Sequence, residues 1–308
     1  MDNLTHSLVG ALLGQAGLKR KTGLAMPALV IGANLPDVDA ACLLWLDGVE
    51  HLGFRRGITH GPPAWLLLPL ALAALLWGWD RWQAKRGKRP EGRLPVRFGW
   101  LYLLSLIGCL THPALDWMNV YGIRLLEPFS SRWFYGDTLF IIDVWLWGML
   151  GFATWWSLRQ EKRGGAWQRT GKQALALMLA YIGLNAGVTA YAERAPGATP
   201  AGRDTVIASP PVLWSLDREI IAGGNGLYTV DGTALPGVPL DRCDLKGAAR
   251  ESSQVRAFLF WSRTPFIEPG EDGVLRLRDA RFYDPRARDR FTVALPDGVC
   301  AQDATSSP

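Results

Sequence analysis

The sequence contains four histidines, and three of them stand with carboxylates at the edges of apolar runs. His6 lies in Asn3-Leu4-Thr5-His6-Ser7 and His60 in Arg56-Gly57-Ile58-Thr59-His60-Gly61-Pro62. His112 lies in Thr111-His112-Pro113-Ala114-Leu115-Asp116-Trp117, and Asp37 and Asp39 lie in Asn34-Leu35-Pro36-Asp37-Val38-Asp39. Ionisable groups in apolar surroundings are costly and usually mark function. Imidazoles with carboxylates suit a divalent ion, Zn first and Mn or Fe as alternatives, with one or two ions held. His112 and Asp116 are four residues apart, so on a helix both face one way. Asp37 and Asp39 are two apart and act together only where the chain is extended or a helix is just starting after Pro36. Sulfur ligation is unsupported, because the cysteines lack paired spacing. Each group taken alone has a plainer reading: His6 as an interfacial histidine, His60 as a cap for a helix starting at Pro62, His112 with Asp116 as a hydrogen bond between helices, His51 as an exposed loop residue. Together they would each need a separate buried partner.

The elements that must position these residues are apolar. Runs over 24–46, 62–79, 98–119, 138–158 and 173–192 each approach the roughly 20 residues that cross a ~30 Å hydrocarbon core, and a shorter one covers Leu4 to Leu18. This predicts a mainly α membrane protein of five or six transmembrane or re-entrant helices. Asn34 and Pro36 predict a break inside the second run, where backbone and carboxylates could line a cavity. The Leu4 to Leu18 stretch lacks the basic n-region of a signal peptide and stays in the mature protein. Trp77, Trp79, Trp82, Trp100, Trp155 and Trp156 fall at run ends, as in an interfacial belt.

The net charge of +5 could suggest nucleic acid, but the basic residues sit in short blocks between apolar runs. Loops 19–21, 80–97 and 159–172 hold 3, 7 and 5 Lys or Arg, against two each in loops 48–61 and 119–137. The positive-inside rule makes the first set cytoplasmic, removes a nucleic-acid partner, and puts His6, His60, His112 and Asp116 at the outer ends of their segments, around one pocket.

The last third has a different character. Of 15 Trp, 13 precede residue 193, and the remainder carries 16 acids against 14 bases. Val274 to Arg278 and Phe291 to Leu295 alternate apolar and polar, Val255 to Trp261 reads as a strand, and Gly and Pro punctuate the rest. The division expected is a helical membrane domain over 1–192, a Pro- and Gly-rich linker over 193–204, and a small antiparallel β domain over 205–308, outside the membrane. There a Cys243 to Cys300 disulfide is permitted but not required.

The motifs around His6, Asp37 and Asp39, His60, and His112 and Asp116, followed by Pro128-Phe129-Ser130-Ser131-Arg132-Trp133-Phe134-Tyr135-Gly136-Asp137, resemble bacterial membrane-bound predicted metal-dependent hydrolases whose best-known members are LexA-regulated inner-membrane proteins. The resemblance covers essentially the whole chain. It implies a multi-pass inner-membrane protein with a metal centre at His6, Asp37, Asp39, His60, His112 and Asp116, and it supplies no substrate. One departure matters: the third motif of that family reads H-R-G-x-T-H, and Arg55 stands where its first His would be. Either that His is not an obligatory ligand, or His51 replaces it, or one ligand is lost.

The expected activity is hydrolysis of a lipid or lipid-linked phosphoester. Asp37 or Asp39 would bridge ions or act as general base, Arg56 would join them in catalysis, and Arg55, Arg124 and Arg132 would hold phosphate. The rival is a non-catalytic transport or scaffold protein in which a metal only ties helices together.

Overall fold

The computed structural model describes residues 1–195, 205–214, 216–270, 272–284 and 288–300, which divide into two compact units. The first comprises Met1–Asp39, Arg56–Ala186 and Val212–Ser215, the second Ala40–Arg55, Gly187–Pro211 and Leu216–Pro308. The second unit therefore takes in a segment whose two chain neighbours, Asp39 and Arg56, belong to the first.

The first unit is a helical bundle. Helix α1 (Asn3–Gln15) starts where the Asp2 carboxylate accepts the Leu4 and Thr5 amides. Helix α2 (Ala25–Gly32) is short, and a 3-10 stretch (Leu35–Leu44) follows it at 52°. The break comes at Asn34, whose side-chain amide donates back to the Val30 carbonyl and across to the Ser7 hydroxyl, just before Pro36 removes a backbone donor. One helical turn, α3 (His51–Phe54), falls in the segment assigned to the second unit.

Helix α4 (Pro62–Lys85) opens on two prolines, which lose no helical hydrogen bond there. Helices α5 (Phe98–Trp117), α6 (Val144–Lys162) and α7 (Trp167–Arg194) complete the bundle. Asp143 caps α6 by accepting the Trp145 and Leu146 amides, so this carboxylate beside an apolar run is a structural one.

Three helices, α4, α5 and α7, are long and apolar enough to cross a membrane, or four spans if α2 and its bent continuation make one. Of the five or six transmembrane or re-entrant helices expected, α1 and α6 fall outside that set among the described residues. Helix α1 has 13 residues, and α6, with four Trp and an Arg-Gln-Glu-Lys end, is interfacial in composition. Leu67 and Leu75 on α4 and Leu179 on α7 are 62%, 71% and 64% exposed, a surface suited to lipid rather than water.

The packed interior has two parts, Leu12, Leu115, Leu146 and Leu150 around α1, α5 and α6, and Leu29, Ala73, Leu101 and Leu104 around α2, α4 and α5. Gly108 lets α5 touch α2, since a Cβ there would lie 2.5 Å from the Leu29 carbonyl oxygen, and Gly10 does the same for α1, at 2.8 Å from that oxygen. Small residues at crossings are how membrane helices approach closely.

In the second unit, β1 (Thr205–Ser209), β2 (Glu219–Gly224), β3 (Leu227–Val230) and β4 (Thr233–Ala234) form an antiparallel meander. Strands β5 (Pro265–Pro269), β6 (Leu275–Asp279) and β7 (Thr292–Ala294) form a second antiparallel sheet. Helix α8 (Leu245–Glu251) precedes α9 (Ser253–Trp261). The expected β domain is there, with one correction: Val255 to Trp261 is helical. Its buried residues Val255, Phe258 and Trp261 recur every third position, and the Ser252 hydroxyl accepts the Val255 amide as a cap. Cys243 and Cys300 are disulfide-bonded. Of the expected linker, 193 and 194 end helix α7, and 196–204 lie outside the described residues.

Two predictions follow from this packing. Replacing Gly108 by Leu should push α5 off α2 and destabilise the bundle by about 1–3 kcal/mol, read as a lower midpoint of thermal unfolding in detergent, with Gly99→Leu, which meets nothing within 4 Å, as the neutral control. In the second unit Asp279 is fully buried. Burial alone would raise its pKa, but Arg281, with Nε and a terminal nitrogen each 2.8 Å away, and the Ser262 hydroxyl hold it at about 2. A depressed carboxylate stabilises the fold fully above its unfolded pKa, near 3.8, and the contribution disappears as pH falls towards 2. Stability of this unit should therefore drop by about 2 kcal/mol between pH 4 and pH 2, and an Asp279→Asn variant should show a flatter pH profile in circular-dichroism melts.

Candidate metal centre

Asp116 is the hub of a buried cluster. It lies one turn beyond His112 on α5, and Oδ2 is 3.4 Å from His112 Nε2 and 3.6 Å from His60 Nε2. Its other oxygen is 3.4 Å from His6 Nε2. His6, His60, His112 and Asp116 all have 0% exposure. Asp37 Oδ1 is 3.8 Å from His112 Nε2, and Asp39 Oδ2 is 3.5 Å from His60 Nδ1. The His6 and His112 rings stack at 3.7 Å between centroids, and His60 meets His112 edge-on at 5.1 Å.

Local structure explains each placement. His6 is buried in the second turn of α1, which Asp2 starts. His60 ends a 3-10 turn (Ile58–His60) directly before the Pro-initiated α4, and its Nδ1 is 2.9 Å from the Thr59 hydroxyl. His112 Nδ1 is 2.7 Å from the Ala33 carbonyl, the last residue before the break after α2, so Nε2 is left facing Asp116. The break expected at Asn34 and Pro36 thus supplies both an acceptor for His112 and a bend that brings Asp37 alongside it.

The ligand atoms form groups that could hold a cation. His6 Nδ1 and Nε2, His60 Nε2, His112 Nε2 and Asp116 Oδ2 are buried without a hydrogen-bond partner. His112 Nδ1 faces the Ala33 carbonyl and so carries the proton, which leaves its Nε2 a lone pair turned on the Asp116 carboxylate, an acceptor against an acceptor that a cation would resolve. Ligands about 2.0–2.1 Å from a tetrahedral ion lie about 3.3–3.4 Å apart, and the His-to-Asp116 separations of 3.4–3.6 Å match that edge. Two overlapping ligand groups result, His6 with His112 and Asp116, and Asp37 with His60 and His112. His112 is common to both, yet its Nε2 has a single lone pair, so it serves one ion only. Burial pushes the His60 pKa below its usual value, which keeps the imidazole neutral and able to ligate.

The charge around Asp116 is arranged by Arg56. This residue has φ of 56°, in the left-handed region, and its own amide donates to Asp39 Oδ2 at 2.8 Å. Its guanidinium Nε is 3.2 Å from Asp116 Oδ2, one terminal nitrogen donates to Asn119 Oδ1 and the Gly122 carbonyl, and the group lies over the Tyr121 ring. The Met1 amino group contacts Asp116 Oδ1. Arg56 is thus a brace for Asp116 and the 119–122 turn. Asp39 likewise ties the turn together, accepting from the Arg56 amide and from the Thr59 hydroxyl at 3.1 Å.

The remaining expected residues are placed less directly. Arg124 is buried with its guanidinium on Glu127 at 3.0 Å and over Trp133, and its amide donates to the Arg56 carbonyl. Arg132 is exposed, over the Phe134 ring. Arg55 and His51 belong to the second unit, and His51 Nδ1 is taken by the Gly48 carbonyl at 3.0 Å. Sequence reasoning missed Asn119, Thr59 and the Ala33 carbonyl. Asn119 alone left a trace, as a polar residue directly after an apolar run.

The model of the YdjM inner membrane protein family matches residues 1–194, which contain every residue of the cluster. Over 94% of its length the chain is 24% identical to the protein YfhP of Bacillus subtilis strain 168, covering 88% of that protein. No solved structure matches. With its several apolar helices and a family match across the whole helical part, the chain belongs to the YdjM inner membrane protein family.

Proposed function

We propose that the protein is a membrane-embedded, metal-dependent hydrolase acting on a lipid or lipid-linked phosphoester. The observation that carries this reading is the set of buried imidazole nitrogens of His6, His60 and His112 that have no hydrogen-bond partner and face the Asp116 carboxylate. A bound divalent cation, Zn by preference and Mn or Fe otherwise, would supply Lewis acidity and acidify water near neutral pH.

The chain's own groups then divide the work. His6, His60, His112 and Asp116 would hold the ion, with Asp37 beside them. Thr59 and the Ala33 carbonyl fix the His60 and His112 rings from behind, as outer partners of metal-binding imidazoles do. Asp37, with 9% of its side chain exposed, is the carboxylate of the cluster nearest to solvent and is suited to hold a proton. Asp39 and Arg56 position the 56–60 turn and Asp116. Arg132, exposed on the 119–137 loop, is the cation that could meet phosphate, while Arg124 is engaged by Glu127.

The Cys243 to Cys300 disulfide supports an oxidising surrounding for the second unit, and the sparsely basic 119–137 loop supports an outer position for the cluster. A lipid-borne substrate fits that depth better than a soluble one. The zero exposure of the three histidines favours a second reading, a structural ion in a non-catalytic membrane protein, since structural sites are closed.

Elemental analysis of detergent-purified protein should find about one divalent ion per chain, lost in a His60→Ala, His112→Ala double variant that still folds. Absence of metal from the parent after repletion with Zn and Mn would sink the proposal. Thr59→Ala should weaken metal affinity about 10–100-fold while leaving the ligands in place, measured by chelator competition. Release of phosphate from lipid phosphoesters, abolished by Asp37→Asn with metal retained, would separate the catalytic reading from the structural one.

A further inference from the structure

The opposite end of the bundle carries a second feature that the His/Asp cluster does not use. Where the start of α7 meets the turn after α1, a cavity of about 450 Å³ is lined by Arg20, Arg169 and Lys172 together with Trp167 and Gln168, and no carboxylate lines it. None of these three cationic side chains has an ion pair or hydrogen bond among the described residues. An adjoining cavity of about 730 Å³ shares Arg20 and Trp167 and adds Lys19, which lies 4.3 Å above the Trp167 ring and is paired with Glu161.

The two walls are in backbone contact: a Cβ on Gly171 would sit 2.7 Å from the Ala16 nitrogen, so α7 lies directly on the end of α1 and the cations are set by main-chain packing. Arg20, Arg169 and Lys172 are exposed to water, and three positive charges around one recess make a local potential that attracts an anion. Trp167 opens α7, a helix apolar enough to span a membrane whose Leu177, Leu179 and Leu184 face outward. Indole at the end of a span marks headgroup level, so acyl chains bound here would lie along that leucine surface.

We propose that this basic cavity binds the phosphate of an anionic phospholipid headgroup, with Arg20, Arg169 and Lys172 as its ligands. Shared phosphate chemistry makes inorganic phosphate the other source, and the outward leucines favour the lipid. The site needs no metal and stands apart from the hydrolase reading.

Native mass spectrometry of the detergent-purified full chain, titrated with phosphatidylglycerol or phosphatidylcholine, tests it. The parent should retain phosphatidylglycerol in preference, and Arg20→Gln, Arg169→Gln and Lys172→Gln should each weaken that retention about fivefold. A charge-matched control, Lys85→Gln with Arg86→Gln and Lys88→Gln at the end of α4, should leave it unchanged. An equal loss in the control overturns the site in favour of diffuse charge attraction. Retention of both lipids alike, with inorganic phosphate binding that disappears with the same three residues, overturns the lipid and assigns a soluble phosphate. Unchanged thermal unfolding in the cavity variants establishes that they fold, and Lys172→Gln serves if either arginine variant does not.

Discussion

A carboxylate stripped of water is the constraint on which the helical unit turns. Asp116 has no exposed surface, and a buried, unpaired carboxylate costs several kcal/mol. Its neighbours are explained by that cost. Arg56 adopts a left-handed backbone conformation to set its guanidinium against one oxygen, and Asn119, Gly122 and Tyr121 hold that guanidinium in turn. Three imidazoles complete the surroundings, and none of them can neutralise a carboxylate while remaining neutral itself. A divalent ion reconciles the two requirements, since it takes the imidazole lone pairs and the carboxylate charge together.

The same constraint links the cluster to helix packing. His112 and Gly108 share a face of α5, so the close approach that Gly108 permits to the Leu29 carbonyl also sets the distance from His112 to the Ala33 carbonyl, one turn further along α2. Gly10 locks α1 to the same carbonyl and brings His6 against His112. Small residues on α1 and α5 and polar residues at the helix ends thus form one device, in which the membrane-facing leucines take no part.

Much of this was legible in the sequence, for identifiable reasons. The 112–116 pair shows its geometry through helical spacing, and the break at Asn34 and Pro36 through a missing donor and a side chain that competes for the backbone. The role of Arg56 was not legible, because phosphate binding and support of Asp116 ask for the same residue type, and only the guanidinium's contacts distinguish them. The 138–158 run reads as a span in a simple tally, while the four tryptophans and charged end of α6 keep it out of the set of helices apolar enough to cross. The 255–261 segment failed because a short aromatic run has no period until its cap is known, and Ser252 supplied the cap.

The central claim is that nitrogen and oxygen atoms of this cluster, and no sulfur, hold a metal ion. Zinc K-edge X-ray absorption on the metal-replete, detergent-purified protein tests it most directly. The account predicts a first shell of nitrogen and oxygen at about 2.0–2.1 Å with the multiple-scattering signature of three imidazoles, reduced to two in His6→Ala. A sulfur shell near about 2.3 Å, or a spectrum free of imidazole scattering, would contradict it.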